Sequence, residues 1–135
     1  MKKTLDWRLV LYLSLFGPAI GGLMVLGVFP EGGERLAWLV ATAACAVVIA
    51  RRTEAPVRHG AVVGFLSGAT STLVQAVFSA TLLSNNPWMV ERFADMPEGF
   101  DLQFFIFMLV PFIGVASALA LALVSMLAAK AVRRR

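Results

Sequence analysis

Apolar residues run along this chain in four long stretches, Leu9–Phe29, Leu36–Ala50, Gly60–Leu83 and Leu102–Ala129, and none of them contains Asp, Glu, Lys, Arg or His. A hydrocarbon core ~30 Å thick takes about 20 residues of apolar helix, so three stretches are long enough to cross it and the second nearly is. The pattern predicts an all-α fold, a bundle of four transmembrane helices at about residues 6–29, 34–51, 59–83 and 102–130, in one membrane domain over 1–135. The polar pieces between the runs are too short to bury a core, which confines any activity to the bundle or its two surfaces.

The connections have their own signatures. Pro30-Glu31-Gly32-Gly33 has the chemistry of a reverse turn and predicts a tight antiparallel hairpin of the first two helices. Between the last two, Asn86-Pro87 reads as a helix start, with Asn as N-cap and Pro at the first position, and Met89, Phe93 and Met96 recur at helical spacing. A short amphipathic helix at about 87–95 is expected in this outer loop, lying in the membrane interface. Trp88 and Phe93 would dip into lipid while Glu91, Arg92 and Asp95 face water; a lid or docking surface is the alternative.

Small residues predict where helices meet, because in lipid no hydrophobic force draws helices together and close backbone approach takes its place. The third run carries Gly60, Gly64, Gly68, Thr72, Ala76 and Ala80 at four-residue spacing. Shorter rows are Gly114, Ala118 and Ala122 in the fourth run, Gly17 and Gly21 in the first, and Ala37, Ala41 and Cys45 in the second. About 100° around the third helix from its glycine row lie Ser67, Ser71, Gln75 and Ser79, all polar. They suit hydrogen bonds between helices or the lining of a small polar path. Val62, Leu66, Val74 and Phe78 are left to face lipid. Pro18 and Pro111 are expected to break the first and last helices within similar segments, Pro18-Ala19-Ile20-Gly21 and Pro111-Phe112-Ile113-Gly114.

Charge orients the bundle. If both termini are cytoplasmic, the inner segments 1–8, 51–59 and 130–135 hold three, three and four of the twelve Lys and Arg and only two acids. Outside stay Arg35 and Arg92 with six acids, as the positive-inside rule requires. The inner basic residues are expected to meet anionic headgroups; their scatter as short flanks gives no nucleic-acid surface. Met1-Lys2-Lys3 ahead of an apolar run resembles a signal peptide, but the run to Phe29 is longer than a signal core, so a retained helix is expected.

Candidate chemistry is sparse. No ionisable residue falls inside an apolar run, which disfavours an ion-coupled carrier. His59 is the one histidine and is expected to be solvated at the cytoplasmic lip, and Cys45 to serve as a small hydrophobe. Neither a carboxylate pair on one face, a supported Ser-His pairing nor a phosphate loop is present, so no catalytic residue, cofactor or metal ligand is expected.

The four spans, Val57-Arg58-His59-Gly60-Ala61-Val62-Val63-Gly64 and Asn86-Pro87-Trp88-Met89-Val90-Glu91 together resemble a family of small bacterial four-span membrane proteins built on a domain of unknown function. The resemblance implies a bacterial inner (plasma) membrane and transfers no site. Two functions are then compatible with the chain. One is a structural or accessory protein that packs through its small-residue rows with a second copy or a larger membrane complex. The other is a passive channel or carrier for a small neutral solute along Ser67, Ser71, Gln75 and Ser79.

Overall fold

The computed structural model describes residues 4–133, so Lys2, Lys3, Arg134 and Arg135, which contribute to the charge asymmetry, lie outside it. Seven helices follow in order: α1 (Trp7–Ser14), α2 (Phe16–Val25), α3 (Gly33–Arg52), α4 (Pro56–Val77), α5 (Ser79–Asn85), α6 (Pro87–Phe93) and α7 (Leu102–Arg133). Four segments, Trp7–Val25, Gly33–Arg52, Pro56–Val77 and Leu102–Arg133, are long and apolar enough to cross a membrane. Hydropathy located these four; their interruptions come from hydrogen bonding that hydropathy does not register.

The first span is not the single helix expected over 6–29. Asp6 caps α1 by accepting from the backbone N–H groups of Arg8 and Leu9. At Leu15 the ladder shifts to an i−3 bond, with the Leu15 N–H donating to the Tyr12 carbonyl. Pro18 explains the shift, since it has no N–H to offer the Ser14 carbonyl four residues back. That freed carbonyl accepts from Ser67 Oγ of α4, at 3.4 Å. α2 then stops at Val25, short of Phe29. Gly27 takes φ +71°, its N–H donates to the Met24 carbonyl, and the Val28 N–H donates to Leu23. This is a Schellman-type stop that a β-carbon at residue 27 would disfavour.

The third span, expected over 59–83, is also divided, at Phe78. The Gln103 amide of α7 reaches the Ala76 carbonyl across the break, at 3.2 Å, a side chain inserted where the ladder opens. Pro111 does the opposite of what was expected. It sits inside α7, which continues unbroken from Leu102 to Arg133.

α4 is the hub. Its most extensive packing is with α7, its next with α2, while α3 leans chiefly on α7. The tight hairpin expected of the first two spans is therefore loose, since α2 lies on α4 and touches α3 little, chiefly through the edge of Phe16 on Trp38 at 5.2 Å. Two apolar clusters fill the ends of the bundle. Val10, Cys45, Ala46, Ile49, Val63 and Leu121 form one, and Met24, Val25, Ala76, Leu82 and Ile106 the other.

Two further expectations are corrected. Val62 and Leu66 pack against the first cluster and Val74 against the second, so of the four residues assigned to lipid only Phe78 is exposed. The outward face of α4 is instead Val57, Phe65, Leu73 and Val77. His59 is buried, at 3% exposure, rather than solvated. Its Nδ1 lies 2.9 Å from the Ala55 carbonyl and its Nε2 accepts from the Asp6 backbone N–H at 3.0 Å. Both bonds are made by the neutral ring protonated on Nδ1, which ties the start of α1 to the start of α4.

Candidate functional site

The small-residue and polar rows divide between two faces of α4. On one, Gly60, Gly64 and Gly68 lie against α7. A β-carbon on Gly60 would come within 2.8 Å of the Leu121 carbonyl, one on Gly64 within 2.8 Å of the Ala118 Cα, and one on Gly68 within 2.8 Å of the Ile113 carbonyl. Ala122 Cα approaches Gly60 in the same way, and Gly114 faces the Phe65 ring and Ala69. On the other face, Gly17 and Gly21 of α2 rest on the backbone of Ser67 and Ser71, leaving 2.7 Å between a Gly21 β-carbon and the Ser71 carbonyl. Thr72 turns its hydroxyl back to the Gly68 carbonyl, and Ala80, beyond the Phe78 break, is exposed.

The polar row does not share one environment. Ser67 and Ser71 are buried under α2, Ser79 is buried at the start of α5, and Gln75 is half-buried elsewhere. Ser71 Oγ has no hydrogen-bond partner, and neither does Ser125 Oγ of α7. Both face glycines, Ser71 Oγ standing 3.1 Å from where a Gly21 β-carbon would be and Ser125 Oγ 2.8 Å from one on Gly60, and each bears the desolvation cost of a buried group without a partner.

The open part of the molecule is on the third side of the bundle. A cleft of about 690 Å³ opens sideways between α3 and α7, walled by Phe16, Leu39, Ile113, Ala116, Ala120 and Val124 among others. At one end stand Glu34, Arg35 and Trp38 from the first turns of α3. Beside it a pocket of about 380 Å³ shares Glu34, Trp38, Ile113 and Ser117 and adds Ser71, Thr72 and Gln75 from α4, Phe105 from α7, and Met89 and Phe93 from α6. Glu34 is half-buried at this end, with Trp38 one turn further along the same face and the Arg35 charge adjacent. The helix begins at Gly32, at φ +82° and with no side chain to cap its first N–H groups.

α6 roofs this end. Its Arg92 pairs with Glu31 in the α2–α3 connection and lies over the Trp88 ring at 5.3 Å. Trp88 and Met89 pack on the second apolar cluster, and Phe93 walls the pocket. Asn86 is not the side-chain cap the sequence led one to expect. Its amide donates to the Met24 and Leu82 carbonyls, and Asn85 donates to Val25. Asn85 thus supplies a donor to the Val25 carbonyl at the end of α2, and Asn86 adds a second donor to the Met24 carbonyl, which already accepts from the Gly27 N–H.

Sequence reasoning missed Glu34 and Trp38 as neighbours of Gln75, and Arg35 as a lining residue of the cleft, because Glu34 and Arg35 counted only as outer-loop charges. The available signal was an acid and an indole four residues apart, hence on one face, at the first turn of a span. No group of three or more His, Cys, Asp or Glu able to hold a metal occurs among the described residues. No family model, curated protein or solved structure matches the chain.

Proposed function

We propose that this chain is an integral membrane protein of accessory type, with both termini cytoplasmic, that acts by binding at its lateral cleft and neither catalyses nor conducts. One observation carries the reading. The Ser67–Ser71 backbone is covered by α2, Gly17 and Gly21 lying directly on it, and of the polar row only Ser71 and Gln75 border the adjoining pocket of about 380 Å³, while the larger space opens between α3 and α7. The glycine rows are already occupied within the chain, so they are not what an outside partner would meet. Orientation follows from the sorted charges, and exposed Trp7 and Tyr12 suit the inner interface while α6 suits the outer one. A bacterial inner membrane fits the sequence resemblance.

Two measurements test this. Cysteines introduced at Ser84 and Ala131 on a Cys45→Ala background should react with an impermeant reagent from outside at position 84 only; labelling at 131 in sealed cells would invert the topology. The conduit reading draws on Gln75, which lines the inner pocket. Proteoliposomes should show no saturable uptake of small neutral solutes, and uptake that Gln75→Leu abolishes while the fold survives would replace the accessory reading with a carrier.

A further inference from the structure

We propose that the α3–α7 cleft seats one phospholipid whose headgroup carries both an amine and a phosphate, the amine against Glu34 and the phosphate at Arg35. The inference rests on the binding reading above and adds the class of ligand and the residues that select it. The cleft is charged at one end only, and there it offers both signs on adjacent residues. From that end the walls turn apolar, with Leu39 on α3 and Ile113, Ala116, Ala120 and Val124 on α7. The α7 wall, from residue 113 to 124, extends ~16 Å at 1.5 Å per residue, a stretch suited to an acyl chain. Glu34 and Arg35 partly offset each other, and a lone cation or a lone anion would pair with one while competing with the other. A zwitterion answers both in one molecule.

The details at the charged end agree. The first turn of α3 has no side-chain cap, its Gly33 and Arg35 N–H groups donate to the Pro30 and Gly32 carbonyls, and the positive end of this 20-residue helix lies on the side of Arg35, favourable to phosphate. The opening faces the direction from which bilayer lipids arrive. Small Ala116 and Ala120, both exposed, line the cleft, so a bulky residue at either position takes up its space.

Native mass spectrometry of the full chain tests the assignment, after exchange into micelles holding equal amounts of phosphatidylethanolamine and phosphatidylglycerol with the same acyl chains. One phosphatidylethanolamine should stay on each chain, preferred about tenfold. Glu34→Gln and Arg35→Gln should each erase the preference with the helical signal and melting temperature unchanged. Ala120→Phe should reduce retention of both lipids about tenfold. Arg35 is exposed at the helix start, so its variant decides the matter if Glu34→Gln does not fold. Equal retention of the two lipids, no retained lipid, or a preference that survives both charge variants would overturn the proposal. So would displacement by dodecyltrimethylammonium that Arg35→Gln leaves unaltered, which would assign the cleft to simple amphiphilic cations. Solute uptake by proteoliposomes would sink the binding reading itself, whereas a non-conducting bundle that holds no lipid sinks only this assignment.

Discussion

α7 meets α4 on one side and α3 on another, and the two meetings differ in kind. Against α4 it touches backbone, because Gly60, Gly64 and Gly68 leave no side chain between the helices. Against α3 it faces Leu39, Trp38 and Thr42 across the open cleft, with Ala116, Ser117 and Ala120 set among Ile113, Leu121 and Val124 on its own surface there. Both surfaces of α7 are rich in small residues, so smallness on one helix does not close a contact. In lipid, where association depends on packing and interhelical hydrogen bonds, a seam closes when both helices are smooth and stays open when one is not.

The strongest way to break this contrast is to roughen the closed seam. Gly64→Ile would place atoms where the Ser117 carbonyl and Ala118 already sit, and should cost about 3 kcal/mol, the upper end for an overpacked core. Thermal unfolding in detergent should show a large drop in midpoint. An unchanged midpoint would mean that α4 and α7 are not in backbone contact. Next comes the tie between α2 and α5. Asn86→Leu removes the donor to the Met24 and Leu82 carbonyls and should cost about 2 kcal/mol, as for buried groups left unpaired. A midpoint equal to that of the unmodified protein would show the amide to be dispensable.

Smaller effects sharpen the comparison. Ser67→Ala deletes one long hydrogen bond to the Ser14 carbonyl and should cost about 0.6 kcal/mol, the average for such bonds in membranes. A cost several times larger would give the polar row an energetic role it is not assigned here. Ala120→Leu, in the open cleft, should change stability by less than about 0.5 kcal/mol, as for exposed sites. A loss near that of Gly64→Ile would show the cleft to be closed.

Four spans were legible because their runs of apolar residues are long and free of charge, a signal that survives ignorance of every contact. The interruption at Leu15 was half legible. Pro18 announced a break, but its place depended on which carbonyl it freed and on Ser67 being near enough to donate. The break at Phe78 had no local mark, because the Gln103 amide that accompanies it is 27 residues distant in sequence from Ala76. The glycine rows were visible as rows, and their partners were not, since spacing defines a face and not what lies upon it. Burial of His59 was missed for the same reason: its acceptor role depends on the backbone N–H of Asp6, the cap of a helix 53 residues away in sequence. The cleft was illegible in principle, because it is the space left beside the first half of α3, from Glu34 to Thr42, whereas the second half packs with Leu121 of α7.

The most direct measurement of that space compares two neighbours on α7. Leu119 is 68% exposed and turned away from the cleft, whereas Ala120 walls it. A photoreactive amino acid is placed at each position in turn, the protein is washed extensively in lipid-free detergent, and adducts formed on illumination are weighed by mass spectrometry. A lipid held in the cleft predicts a one-to-one phospholipid adduct at position 120 and detergent adducts alone at 119. Equal lipid adducts at both positions, or none at 120, would contradict the account.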